Sequence, residues 1–303
     1  MCSPPRRWQR SAKCRGYIET RLAGIRGSRR PCRSNILCSS RHRHRTADES
    51  RSILLSISTL VVPCFNEETR LDRDAFVGFA REHPSIRFVF VNDGSRDGTG
   101  EVLEHIRAAA PDRAQVLDLP TNVGKAEAVR RGMLHALDRR PTFVGFWDAD
   151  LATPLAEVFA FIDLLERRPE LEMVFGSRVR LLGRTIERRA FRHYVGRGFA
   201  TAASLALRLP VYDTQCGAKL FRASQRLRQV FETPFLARWI FDVEIIARFG
   251  SAPPPYAPAY LVTAISEHPL REWRDRSGSK RQAGDLARAA VDLARVYLAY
   301  LRA

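Results

Sequence analysis

Three apolar stretches in the first half of this chain run directly into acidic residues. Residues 53–62 lead into Pro63-Cys64-Phe65-Asn66-Glu67-Glu68, residues 86–91 into Asn92-Asp93-Gly94-Ser95, and residues 142–147 into Asp148-Ala149-Asp150. Carboxylates are the oxygen ligands that hard divalent cations prefer. A cation held there suits a diphosphate, with neighbouring groups left to hydrogen-bond a base and ribose. Taken singly, each run reads as a solvated turn, because Asp, Asn, Gly and Ser all favour turns. Three in one order, with helix-sized gaps between them, point to a ligand site beyond the carboxyl ends of parallel strands. Lys125 follows Gly124 at a helix start, where the dipole disfavours a cation. An anionic ligand would compensate, although a solvated lysine costs little there. The spacing around Gly124-Lys125 is not that of a P-loop.

The elements that must position these groups alternate. The spacing predicts strands over 53–62, 86–91, 114–119, 142–147 and 171–175. Helices are predicted between them over 72–82, 97–110, 125–139 and 153–167, with Asp97 able to cap the second. Such alternation implies a mainly parallel sheet covered on both faces. The second half changes character. A long helix over 187–209 carries arginines on one side, short extended pieces lie near 213–216 and 219–221, and a helix covers 238–249. A strand over 259–265 follows Pro253-Pro254-Pro255. A terminal helix over 281–301 repeats apolar residues at helical spacing, for core packing or for a membrane surface.

Longer motifs narrow the reading. Pro63-Cys64-Phe65-Asn66-Glu67, Val91-Asn92-Asp93-Gly94-Ser95-x-Asp97-Gly98-Thr99, Asn122-x-Gly124-Lys125 and Asp148-Ala149-Asp150 resemble the signatures of family 2 glycosyltransferases. Gly176-Ser177-Arg178, Asp213-Thr214-Gln215-Cys216-Gly217-x-Lys219-Leu220-Phe221 and Arg238-Trp239-x-Phe241-Asp242-Val243-Glu244 resemble the dolichyl-phosphate glucosyltransferase branch. The resemblance spans about residues 56 to 281. It implies a GT-A-like α/β fold with a helical acceptor-side second half. It also implies inverting transfer of a sugar, glucose from UDP-glucose, to a polyprenyl or dolichyl phosphate, with Mg²⁺ or Mn²⁺ as cofactor. By the same resemblance Asp150 is a direct metal ligand, and Asp148 contacts the sugar, the ribose or the metal. Asn92 and Asp93 read the base and ribose, and Pro63, Phe65 and Glu67 form the opposite wall, with Phe65 alternatively a core residue at a strand end. Mannosyl members carry Gln two residues after the Asp-x-Asp. Ala152 stands there in this chain, which favours the glucosyl branch over a GDP-mannose enzyme.

The acceptor sets the demands on the second half. A sugar hydroxyl needs a general base; a phosphate monoester, with a second pKa of about 6, is already anionic at neutral pH and needs cations instead. Arg178 and Arg192 can bind phosphate through paired guanidinium donors, and in the resembling enzymes arginines at these positions hold the acceptor phosphate. A solvated basic face, shared with Arg188 and Arg189, is the other reading. Asp213, Gln215 and Lys219 line or brace the sugar pocket. Asp242 and Glu244 bind sugar, or one serves as base for a hydroxyl acceptor; two residues apart on a helix, they cannot both face the cleft. The segment 267–280, with Arg274, Ser277, Gly278 and Lys280, is either a loop that closes over the diphosphate or a solvated one. A non-catalytic nucleotide-sugar or nucleic-acid binder is the alternative from another class, and the intact acidic set argues against it.

Of the +17 net charge on 303 residues, +11 lies in residues 1–51, which hold 14 Lys or Arg against 3 acidic residues. The expected organisation is therefore a basic, disordered arm over 1–51, a transferase domain over 52–281 and an amphipathic helix over 282–303. The arm suits anionic lipid, suits nucleic acid less well, or is an over-long translation start. The six cysteines lack the spacing of a disulfide framework or zinc site, which implies a reducing compartment. With no run of 18 apolar residues, the expected location is cytoplasmic and peripheral, at the inner face of the membrane.

Overall fold

The structure is a computed structural model that describes residues 56–187, 190–275 and 285–302, without the side chains of 190–195 and 285–286. The expected basic arm and the residues Arg188, Arg189, Ser277, Gly278 and Lys280 lie outside the described residues, as does the side chain of Arg192. Strands β1 (Ser58–Cys64), β2 (Ile86–Asp93), β3 (Ala114–Leu119) and β4 (Phe143–Trp147) form the parallel half of a seven-stranded sheet. Its order is β3-β2-β1-β4, then β7 (Ala218–Arg222), β5 (Met173–Ser177) and β8 (Ile265–Pro269). β7 runs antiparallel to both β4 and β5, while β5 and β8 are parallel.

Residues of alternate parity face opposite sides of each strand, and both sides are apolar. Val61, Val89, Val91, Phe146 and Phe221 pack with α3 (Lys125–Leu137), α6 (Gln225–Glu232) and α7 (Phe241–Gly250). Leu60, Val62, Phe88, Phe90 and Leu220 pack with α1 (Arg73–Glu82), α2 (Thr99–Ala109) and α4 (Glu157–Arg167). The long helix α5 (Ala190–Leu207) adds Ala203 and Leu207 to the first core, and α9 (Asp285–Val296) adds Ala289 and Val296. A helical turn over Tyr297–Leu301 follows α9 and buries Leu301. No helix among the described residues is long and apolar enough to cross a membrane.

Register carries the acidic loops to one edge. Cys64 pairs with Asn92, and Asn92 with Asp118, while Val61 pairs with Phe146. The loops after β1, β2 and β4 therefore leave the sheet side by side. Because β7 is antiparallel, its first residue, Ala218, lies opposite Trp147. The turn Cys216-Gly217 thus enters at the same edge, beside Asp148.

Several local expectations change: α4 starts at Glu157 rather than 153, and the piece expected to be extended near 213–216 is a turn before β7. The expected strand over 259–265 is instead α8 (Pro258–Ala264) followed by β8. Pro258 at the first helical position supplies a φ already suited to a helix, and Leu261 and Ala264 are buried at helical spacing while Val262 is exposed. α2 begins at Thr99 rather than Asp97, yet the Asp97 carboxylate still accepts from the Thr99 amide (3.1 Å) and hydroxyl (2.5 Å). Two short strands, β6 (Thr185–Glu187) and β9 (Glu272–Arg274), pair as a separate ribbon.

Candidate active site

The loops after β1 and β2 are bonded into one wall. The Asn66 amide donates to Ser95 Oγ (3.1 Å), and the Arg96 amide donates to Asn66 Oδ1 (2.9 Å). The Glu67 amide donates to Thr99 Oγ1 (2.8 Å), and the Gly98 amide to Glu68 Oε2 (3.0 Å). Pro63 and Phe65 sit half-buried at this rim. Asn92 accepts from the Ser95 amide and donates to Asp118 (2.9 Å).

Asp93 is buried, and its carboxylate takes the amides of Val123 (2.7 Å) and Gly124 (3.0 Å) and the Asn122 side-chain amide (3.1 Å). Its first action is thus to clamp the loop that launches α3. Gly124, at φ 90°, makes the left-handed turn into that helix without a side-chain cap. Lys125 is the first residue of α3, and its ammonium reaches across the edge to Asp148 Oδ1 at 2.5 Å.

The Asp148 amide donates to the Gly217 carbonyl (3.0 Å), continuing the β4–β7 ladder past the strand end. Asp150 Oδ1 accepts from the Ala152 amide (3.0 Å). Burial, and then the neighbouring Asp148 charge, push the Asp150 carboxyl above its ordinary pKa. Burial lowers the Lys125 ammonium, but Asp148, Asp242 and Asp150 outweigh it and the net shift is upward. Two carboxylates two residues apart at this edge supply the hard oxygen ligands that suit a divalent cation. Among the described residues no group of three or more His, Cys, Asp or Glu could hold a metal. A cation here would take further ligands from a diphosphate or water.

Arg70 is a member of the site that sequence reasoning missed. Its Nε donates to Glu67 Oε2 at 2.7 Å, and Asp150 and Asp148 add to the carboxylate field that raises its pKa, of which the Glu67 bond is the largest part. The Glu67 carboxylate is therefore already engaged by a guanidinium, where a ribose contact was expected. The Glu67-x-x-Arg70 spacing in a turn was the available signal.

On the second-half side, Arg178 donates through Nε (2.6 Å) and Nη2 (2.7 Å) to the Asp213 carboxylate, and stacks on Trp273 at 5.3 Å. Nη1 takes no part in that pair. Glu267 accepts the amides of Tyr212 (2.8 Å) and Asp213 (2.7 Å). Lys219 is fully buried and donates to Asp242 Oδ1 (2.5 Å) and the Cys216 carbonyl (2.6 Å). Gln215 Nε2 and Thr214 Oγ1 are buried without a partner among the described residues. Glu244 is turned away from the cleft: it is fully buried, accepts the amides of Leu236 and Ala237, and pairs with Arg248 at 2.6 Å. Cys64 and Cys216 are free and buried, and burial pushes the Cys216 thiol to about 11. An adjoining cavity of about 380 Å³ is lined by Asn122, Gly124, Arg131, Phe235 and Arg238.

The profile of glycosyl transferase family 2 matches residues 59–226. A dolichyl-phosphate beta-glucosyltransferase of Trichomonas vaginalis is 31% identical over 261 residues, covering 81% of this chain and 72% of that protein. The protein of the same description from Drosophila melanogaster is 33% identical over 247 residues, 77% of this chain and 71% of its own length. Among solved structures, glucosyl-3-phosphoglycerate synthase from Mycobacterium tuberculosis, crystallised with Mn²⁺, uridine-diphosphate-glucose and phosphoglyceric acid, superposes with a TM-score of 0.56. It shares 18% identity over 80% of each chain, a likeness of fold in the GT-A manner.

Proposed function

Since the chain belongs to glycosyl transferase family 2, we propose that it is an inverting, metal-dependent glucosyltransferase that moves glucose from UDP-glucose to a polyprenyl phosphate of the dolichyl type. The observation that carries the acceptor assignment is the state of the carboxylates on the second-half side. Asp213 is bound by Arg178, Asp242 by Lys219, Glu244 by Arg248, and Glu267 by two backbone amides. Each of these four already holds a structural partner, with Lys219 on one oxygen of Asp242. A phosphate acceptor needs no base, because it is already ionised at neutral pH. The names of the relatives support the same reading.

The chain's own residues divide the work. Asn92 and the loop clamped by Asp93 frame the nucleoside, with Pro63 and Phe65 on the opposite rim. Asp148 and Asp150 would hold Mg²⁺ or Mn²⁺, which supplies Lewis-acid charge to the departing diphosphate. Lys125 is poised to exchange its bond with Asp148 for a phosphate oxygen when the donor arrives. Arg178, fixed by Asp213 and Trp273, offers Nη1 to the acceptor phosphate, and Arg192 is a second candidate for it. Gln215 Nε2 is a buried donor without a partner among the described residues, and Asp213 and Lys219 brace the site. In the transfer, an acceptor phosphate oxygen attacks the anomeric carbon in line; that carbon–oxygen bond forms as the bond to the diphosphate breaks, and UDP leaves with the electron pair. Free buried cysteines fit a reducing compartment, and we assign the enzyme to the cytoplasmic face of a membrane.

The test is label entering the lipid phase. The protein is incubated with polyprenyl phosphate, Mn²⁺ and either labelled UDP-glucose or labelled GDP-mannose. Label extracted into organic solvent from UDP-glucose alone is the expected result. Label from GDP-mannose overturns the glucosyl assignment, and label from neither, with UDP-glucose still bound, moves the acceptor to a hydroxyl.

A further inference from the structure

The connection between β5 and β6 exposes two adjacent leucines at a single turn. Leu182 is fully exposed and Leu181 is half exposed. The turn is closed by the Arg184 amide donating to the Leu181 carbonyl (3.1 Å), with Gly183 at φ 77°. Arg180 precedes the leucine pair and Arg184 follows it, and no acidic residue occurs from Ser177 through Ile186.

This tip is rigidly mounted. Behind it, Ile186 is buried and pairs with Trp273 of β9. The Thr185 amide donates to the Arg271 carbonyl (2.9 Å), and the Arg274 amide donates to the Ala152 carbonyl (3.0 Å), two residues beyond Asp150. The ribbon is thus bonded to the loop that carries the candidate metal ligand. Leu182 is four residues beyond Arg178, a reach of at most about 14 Å of extended chain.

We propose that the β5–β6 tip inserts into the lipid surface in which the acceptor is embedded, with Leu181 and Leu182 in the acyl boundary and Arg184 at the level of the lipid phosphates. The identity of the acceptor rests on the function proposed above. Two leucines on one turn cover far less than the roughly 800 Å² that each partner contributes to a stable protein interface. An apolar pair followed by the Arg184 guanidinium, in a stretch without acidic residues, instead matches the layering of a bilayer surface, hydrocarbon beneath and anionic phosphate above. The tip therefore fixes the cleft at a height where Arg178 meets a lipid-borne phosphate.

The experiment uses the full chain and its Leu181→Ser/Leu182→Ser variant. Partition onto phosphatidylcholine vesicles, with and without phosphatidylglycerol, is measured at high salt so that the basic residues 1–51 are screened. The expected result is a roughly 10-fold or larger fall in partition for the variant, as burial of two leucines predicts. Transfer to long polyprenyl phosphate in vesicles should fall with it, while UDP-glucose binding and transfer to a short, water-dispersed polyprenyl phosphate stay at the unsubstituted level. Unchanged partition overturns the proposal, as does a variant that loses self-association instead of vesicle binding. A Leu182→Trp chain provides a second readout, since its added fluorescence must shift to the blue when vesicles are present, and no shift overturns the insertion. If the unsubstituted protein transfers to neither acceptor while the serine variant still loses vesicle partition, the acceptor reading fails and the tip stands.

Discussion

Gly217→Ala is a one-carbon test of whether the geometry of Asp148 matters. A Cβ built at Gly217 lies 1.8 Å from Asp148 Oδ2 and 2.1 Å from its Cγ. Carbon and oxygen in contact sit about 3.4 Å apart, so the carboxylate must move by roughly 1.5 Å. The backbone is held by the Asp148 amide bond to the Gly217 carbonyl (3.0 Å) and by the pairing of Trp147 with Ala218. The side chain must therefore rotate, breaking its bond to Lys125. A displacement of about 1 Å in a positioned group costs on the order of 100-fold in rate, or about 2.7 kcal/mol in the barrier. Asp148 is 35% exposed and can swing outward, so the fold should lose less than about 1 kcal/mol, the usual range for a surface adjustment. Steady-state transfer with saturating acceptor, alongside thermal melts with and without Mn²⁺, separates the two effects. Turnover within about threefold of the unsubstituted protein would refute the claim that the β7 turn sets the Asp148 carboxylate.

Three further outcomes are expected. Asp150 has a raised carboxyl pKa in the folded chain, so the folded state binds that proton more tightly than the unfolded one. Stability from this group is present at low pH and lost as pH rises through the folded value; Asp150→Asn should raise the metal-free Tm at neutral pH and abolish the Tm gain from Mn²⁺. Lys219→Met strands the buried Asp242 carboxylate and should cost about 3–5 kcal/mol in urea unfolding, most of which a Lys219→Met/Asp242→Leu double variant recovers. Replacing Arg178 and Asp213 together, as Arg178→Met/Asp213→Leu, avoids a lone buried charge; it should leave UDP-glucose binding within about twofold and depress lipid-phase transfer about 100-fold, the loss expected for a positioning contact.

The parallel half of the sheet was readable because each of its strands is an apolar run punctuated by turn residues, and β3 has the predicted bounds of Ala114–Leu119. What escaped was long-range. Alternation along Ala218–Arg222 is the same in parallel and antiparallel strands, so nothing local announces that β7 enters between β4 and β5. Pro258 was the only local cue for α8 against the strand-like residues Tyr260, Leu261 and Val262. The candidate site residues could be named as types at strand ends, but their pairing could not. That Asp93 clamps the 122–124 loop, that Arg70 occupies Glu67, and that Arg178 and Asp213 form one unit all depend on loops meeting across the sheet edge.

The central position of β7 also has a consequence for how the chain reaches its native state. Until β7 docks, β4 is an open, apolar edge, the kind of strand that templates unwanted pairing. The parallel half of the sheet is thus not a self-sufficient folding unit. Its outermost strand must wait for a segment synthesised much later, and closing such a distant contact is a slow step. A ribosome-bound or truncated chain ending before Ala218 should accordingly depend on chaperone shielding. The loops after β1, β2 and β4 and the turn at Cys216-Gly217 then meet at one edge through that same docking step.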